Sequence, residues 1–126
     1  MNNFTREDME EALLAIASMI DKTEKAKEKF ARGTSHRTLQ ETRLKALNIA
    51  SSLISRELAD GGVSGYAGEE LEKARAPIAS LVSKCKKAQD KLAAGTWHHR
   101  MLGMNVKALE IALPLLTKAL PNKPGR

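Results

Sequence analysis

Gly33-Thr34-Ser35-His36 recurs 62 positions later as Gly95-Thr96-Trp97-His98. With that offset applied to the rest of the chain, residues 5–58 and 67–120 align without a gap and agree at 21 of 54 positions. The agreements include Ile16-Ala17-Ser18 with Ile78-Ala79-Ser80, Lys45-Ala46-Leu47 with Lys107-Ala108-Leu109, and Ile49-Ala50 with Ile111-Ala112. Many mismatches keep their character, as Met9/Leu71, Met19/Leu81, Ile20/Val82 and Phe30/Leu92 do. Self-similarity at a fixed period, with no insertion, reads as a tandem duplication.

Each repeat predicts two helices, one on either side of its Gly-Thr. In the first, Thr5 stands before Asp8 as an N-cap, and acidic residues fill the first turn, where the helix dipole favours them. Met9, Ala12, Leu13, Ile16, Ile20, Thr23 and Phe30 recur at a period near 3.6, one face of a helix. Asp21–Lys25 and Glu28–Arg32 have i,i+4 spacing in the favourable order. Gly33 is expected to close this helix at C′, since glycine enters the left-handed region without a Cβ clash. Thr34 or Ser35 is expected to cap the next helix at once, with Leu39, Leu47, Ala50, Leu53 and Leu58 on its buried face. A helix, a turn of two or three residues and another helix form an antiparallel hairpin. The second repeat predicts the same hairpin, with Pro77 and Pro114 inside its helices. A missing N–H and a crowded turn there predict kinks or, at Pro77, a late start.

Two hairpins with apolar stripes bury them best against each other. The expected fold is therefore all-α: an up-down-up-down four-helix bundle made of two tandem helical hairpins. The alternative exchanges hairpins between two chains through the glycine-rich linker, with the same core. Repeats 5–58 and 67–120, linker 59–68 and a mobile tail at 121–126 make one domain over 1–126.

Composition narrows the class further. A chain of 126 residues with 42% hydrophobic and 29% charged content suits one folded domain and not a disordered one. A single cysteine, Cys85, makes no internal disulfide. No apolar run approaches the roughly 18–20 residues of a membrane span. The start, Met1-Asn2-Asn3-Phe4-Thr5-Arg6-Glu7-Asp8, turns acidic at once and lacks the order of a signal peptide. No membrane association and a cytoplasmic location are the expectations.

Charge is uneven along the expected bundle. Residues 25–38 hold five Lys/Arg and one Glu, and residues 87–100 hold three Lys/Arg and one Asp, which puts +6 at the pole shared by the two turns. At the other pole, residues 5–12 carry −3, residues 55–72 carry −4 and residues 117–126 carry +3. The whole net charge of +6 lies in residues 61–126, notably on Lys84, Lys86, Lys87 and Lys91. This basic face is read first as solvated helix surface covering apolar atoms with its stems. Its functional reading is a surface for an acidic partner or a polyanion. Nucleic acid is the less favoured of these partners, because only Phe4, Phe30, Tyr66 and Trp97 are aromatic, too few for stacking platforms.

Candidate chemistry gathers at the turns. Thr34, Ser35, His36 and Arg37, with Thr96, His98, His99 and Arg100, place hydroxyl, imidazole and guanidinium groups at helix starts, where free amides attract anions. The plainer reading makes the threonines N-caps and the glycines turn residues. Three histidines at one pole also raise a metal site, but the second and fourth helices are expected on a diagonal roughly 12–14 Å long. No Glu-x-x-His accompanies them. No metal, no cofactor and no catalytic residue are expected. Cys85, aligned with Thr23, is read as a small core residue. Trp97, aligned with Ser35, is read either as a plug over the bundle end or as an exposed interface anchor.

The stretch Gly33-Thr34-Ser35-His36-Arg37-Thr38-Leu39, followed by Arg43-Leu44-Lys45-Ala46-Leu47, resembles a pattern of small uncharacterised helical proteins of bacteria. The resemblance covers one hairpin, implies a bacterial origin and brings no activity with it. The leading expectation is a non-enzymatic interaction module that binds a protein partner or itself. Two alternatives are binding of an anionic ligand or nucleic acid at the basic turn pole, and an enzyme acting on a phosphorylated small molecule.

Overall fold

A computed structural model describes residues 4–59 and 65–120. It contains four helices, α1 (Arg6–Glu28), α2 (Ser35–Leu58), α3 (Gly68–Asp90) and α4 (Trp97–Ala119), and no strand among the described residues. The tail 121–126 and residues 60–64 of the linker lie outside the described residues.

Local chemistry sets the helix starts. Thr5 Oγ1 accepts from the Asp8 amide at 2.9 Å while Asp8 Oδ2 accepts from the Thr5 amide at 3.1 Å, a reciprocal capping box. Thr34 and Thr96 cap α2 and α4 by accepting from the Arg37 and His99 amides, each at 3.2 Å. At α3 the capping position is Ala67, which has no side-chain oxygen, so only the Glu70 half is made, to the Ala67 amide at 3.1 Å.

The helix ends differ from expectation. α1 stops at Glu28, and Lys29 and Phe30 donate to Ala26 and Lys27, tightening the last turn into i→i+3 bonds. Gly33 is thus not the C′ residue. It sits at φ +84° in a separate turn in which the Thr34 amide reaches Ala31 O at 3.3 Å. The connection spans residues 29–34 rather than two or three residues. Arg32 lies beyond the helix, so Glu28–Arg32 is not a helical pair, whereas Asp21–Lys25 forms at 3.1 Å. The second hairpin repeats the geometry, with Gly95 at φ +90° and the Thr96 amide 3.3 Å from Ala93 O. Pro77 does not delay α3: the helix starts nine residues earlier, at Gly68, and both α3 and α4 run on through their prolines.

α1 pairs with α2, α3 with α4, and the hairpins pack within one chain through α1–α4 and α2–α3. The cross-section is not square. α2 and α4 touch across the middle, while no Cα of α1 comes within 8 Å of α3. The diagonal separation expected from a square bundle is therefore wrong. The fully buried alanines Ala50 and Ala112 leave room for this approach. The middle pair also carries most of the core, 15 of the 22 buried residues.

The core is displaced along the axis. The last buried residue is Met19 in α1 and Ile78 in α3, and the first is Leu44 in α2 and Asn105 in α4. Toward the turns, side chains are at best half-buried, and Leu39, expected on the buried face, is 43% exposed. Leu47, two helical turns further on, is 1% exposed. Leu47→Ala should therefore cost about 2–5 kcal/mol in urea unfolding. Leu39→Ala should cost less than about 1 kcal/mol. Equal costs would contradict this division of the bundle.

Candidate functional site

Both turns occupy one pole. Lys118 Nζ near the end of α4 reaches Glu57 Oε1 near the end of α2 at 3.4 Å, so these helices run parallel and their starts share the opposite pole. Lys22, late in α1, lies 3.4 Å from Met101 Sδ, early in α4.

At the first turn the residues fold back on themselves. Thr34 Oγ1 donates to Ala31 O at 2.7 Å, besides capping α2. His36 is exposed and stacks on Phe30, with ring centroids 5.1 Å apart and planes 20° apart. Ser35 is exposed at the first helical position. Arg37, read as an anion ligand, is committed elsewhere. Its guanidinium donates to Phe30 O at 3.0 Å and meets Glu41 at 3.5 Å, and its side chain is 17% exposed. It locks the turn, because a planar donor fork satisfies a turn carbonyl and a carboxylate together.

The second turn uses other parts. Thr96 Oγ1 donates to Ala93 O at 2.8 Å, and His99, aligned with Arg37, is half-buried with its carbonyl accepting from Gln89 Nε2 at 3.1 Å. Trp97 is 62% exposed, so it is not a plug over the bundle end; it stands free with His98 edge-on at 4.7 Å. Leu92, the counterpart of Phe30, is 37% exposed. Arg100, Lys84, Lys87 and Lys91 are exposed, and none makes an ion pair among the described residues, whereas Lys86 meets Glu110 at 3.2 Å. The pole is thus a basic surface with one apolar projection. No group of three His, Cys, Asp or Glu side chains among the described residues is placed to hold a metal ion. Cys85 is half-buried against the core, and burial pushes its thiol pKa up although Arg43 pulls the other way.

Two seams between the hairpins escaped the sequence reading. Asp8, Glu11 and Ala12 of α1 face Met104, Lys107 and Ala108 of α4, and Glu70, Lys73 and Ala74 of α3 face Thr42, Lys45 and Ala46 of α2. The two sets are the same positions under the 62-residue offset. The shared offset was in view from the start, but which positions face across a seam depends on packing. A third depression, shallow and about 950 Å³, runs between α3 and α4 beside Ala76, Ala79 and Pro114.

No protein-family model matches the chain, and no curated protein or solved structure is significantly similar to it. Fold and geometry define a four-helix bundle with a basic, partly apolar pole. No helix of the described residues is long and apolar enough to cross a membrane.

In the first seam Lys107 Nζ lies 2.9 Å from Asp8 Oδ1. The lysine hydrogen bond, helped by the Thr5 amide, holds the Asp8 carboxyl below its ordinary range, and the same bond to Asp8 raises Lys107. A lowered folded pKa means that the stabilisation from Asp8 is complete above the ordinary value of about 4 and is lost as pH falls through the lower folded value. Asp8→Asn should therefore lose less stability than the parent protein on acidification below about pH 4, read as melting temperature against pH. Parallel curves would remove the pair from the account.

Proposed function

We propose that this chain is a non-enzymatic, cytoplasmic interaction module whose turn pole docks an acidic segment of a protein partner, with Trp97 as the anchor. The observation that carries the reading is a 62% exposed tryptophan and a 37% exposed leucine within a pole of net charge +6. Tryptophan and arginine are enriched at the centres of protein interfaces, with polar residues on the rim. Lys87, Lys91 and Arg100 supply cations not neutralised by carboxylates among the described residues. Against an anion pocket at the α2 start stands Arg37, whose guanidinium is already bonded at both ends. Against nucleic acid stands the single exposed aromatic platform. Self-association through the same patch is the competing outcome of the test.

The test compares the parent protein with Trp97→Ala and with Lys87→Glu/Lys91→Glu. A photo-crosslinker at position 92 in the source cells should join the parent to a protein through an acidic segment. Each variant should lower that yield by about tenfold, because central aromatic anchors carry a large share of binding energy. Both variants should keep the parent melting temperature. Crosslinks that survive both variants, or that join only second copies or nucleic acid, would overturn the reading.

A further inference from the structure

We propose that the open seam between α2 and α3 binds a small molecule that ends in a carboxylate and has a short apolar body. The internal repeat supplies the comparison. In the α1–α4 seam, Lys107 holds the Asp8 carboxylate at 2.9 Å, Met104 is among the lining residues, and about 20 Å³ is left. In the α2–α3 seam the corresponding space is about 200 Å³.

Three exchanges open it. Thr42 stands where Met104 stands in the closed seam, and Lys73 stands where Glu11 does. Glu70, the counterpart of Asp8, accepts at Oε1 from the Ala67 amide at 3.1 Å as Asp8 Oδ2 does from Thr5, but among the described residues it makes no ion pair with the seam lysine. Lys45, the counterpart of Lys107, has no ion pair among the described residues, and Lys73 meets only Glu69, at a loose 3.8 Å. The closed seam thus sets two carboxylates against one lysine, and the open seam sets two lysines against one carboxylate. The floor is apolar, from the buried side chains of Ala46, Ile49 and Ala74.

A carboxylate brought to Lys45 takes the place that Asp8 takes on Lys107, as a charge-assisted hydrogen bond, with Lys73 and the Thr42 hydroxyl able to donate beside it. An apolar body displaces water from the floor, which favours binding in proportion to the area covered. The volume equals the liquid share of about six or seven waters, which suits a ring or short chain carrying one carboxylate. The seam lies on other residues than the turn pole, and binding here stands or falls independently of the partner reading.

The test uses benzoate as probe and benzylamine as its cationic counterpart, titrated into the full chain while amide resonances are followed. Benzoate should give saturable shifts at Thr42, Ala46 and Lys73 and leave Met104 and Ala108 unmoved. Thr42→Met, which copies the closed seam, and Lys45→Gln should each weaken binding by about tenfold or more with an unchanged melting temperature. Benzylamine should produce no saturable shift. The proposal is overturned by an absence of saturation with benzoate, equal shifts in both seams, binding of benzylamine, or undiminished binding by Thr42→Met.

Discussion

The approach of α2 to α4 governs the molecule. These parallel helices touch across the centre, and with 15 of the 22 buried residues they form a spine against which α1 and α3 are laid. Fully buried Ala50 and Ala112 keep the spine narrow, while Leu47, Ile54, Leu109 and Leu116 supply the area removed from water. Each large aliphatic side chain so buried contributes about 1.5–3 kcal/mol. Because α1 and α3 never meet, each flanking helix has two neighbours and leaves its outer face to solvent. The seams follow directly from that arrangement.

The spine is well packed only over the part of the bundle remote from the turns. Beyond Met19 and Ile78, and before Leu44 and Asn105, no described side chain is buried. Lysines and arginines crowd that part, most of them exposed, as suits side chains that keep a charged head in water. The buried core and the basic, partly apolar surface are thereby separated along one axis. The pole with little core can accept charge and an exposed tryptophan without unsettling the part that holds the chain folded.

Internal symmetry makes the exceptions informative. Turn hydrogen bonds, glycine conformations and most core positions are shared by residues 62 apart, so a difference between partners is local and has local consequences. Ser35 against Trp97 and Phe30 against Leu92 turn one tip apolar. Thr42 against Met104 and Glu70 against Asp8 leave one seam open and the other closed.

Four helices, their N-caps at Thr5, Thr34 and Thr96, and the pairing of Asp21 with Lys25 were all legible in the sequence. Each depends on residues within four positions of one another, and short-range hydrogen bonds and apolar periodicity specify such features directly. The charge of the pole was legible as a sum over residues 25–38 and 87–100, once an up-down-up-down order put both turns together. The premature end of α1, the exposure of Leu39 and Trp97, and the diversion of Arg37 to Phe30 and Glu41 were not. A helical stripe records which face is apolar, but it does not record how far along that face a neighbour extends. Only tertiary packing decided that α2 would touch α4, where the core would stop, and which of two equivalent seams would be left open. Those outcomes depend on the volumes of side chains some 30 to 100 positions apart, such as Thr42 and Glu70 or Asp8 and Lys107, meeting in one place.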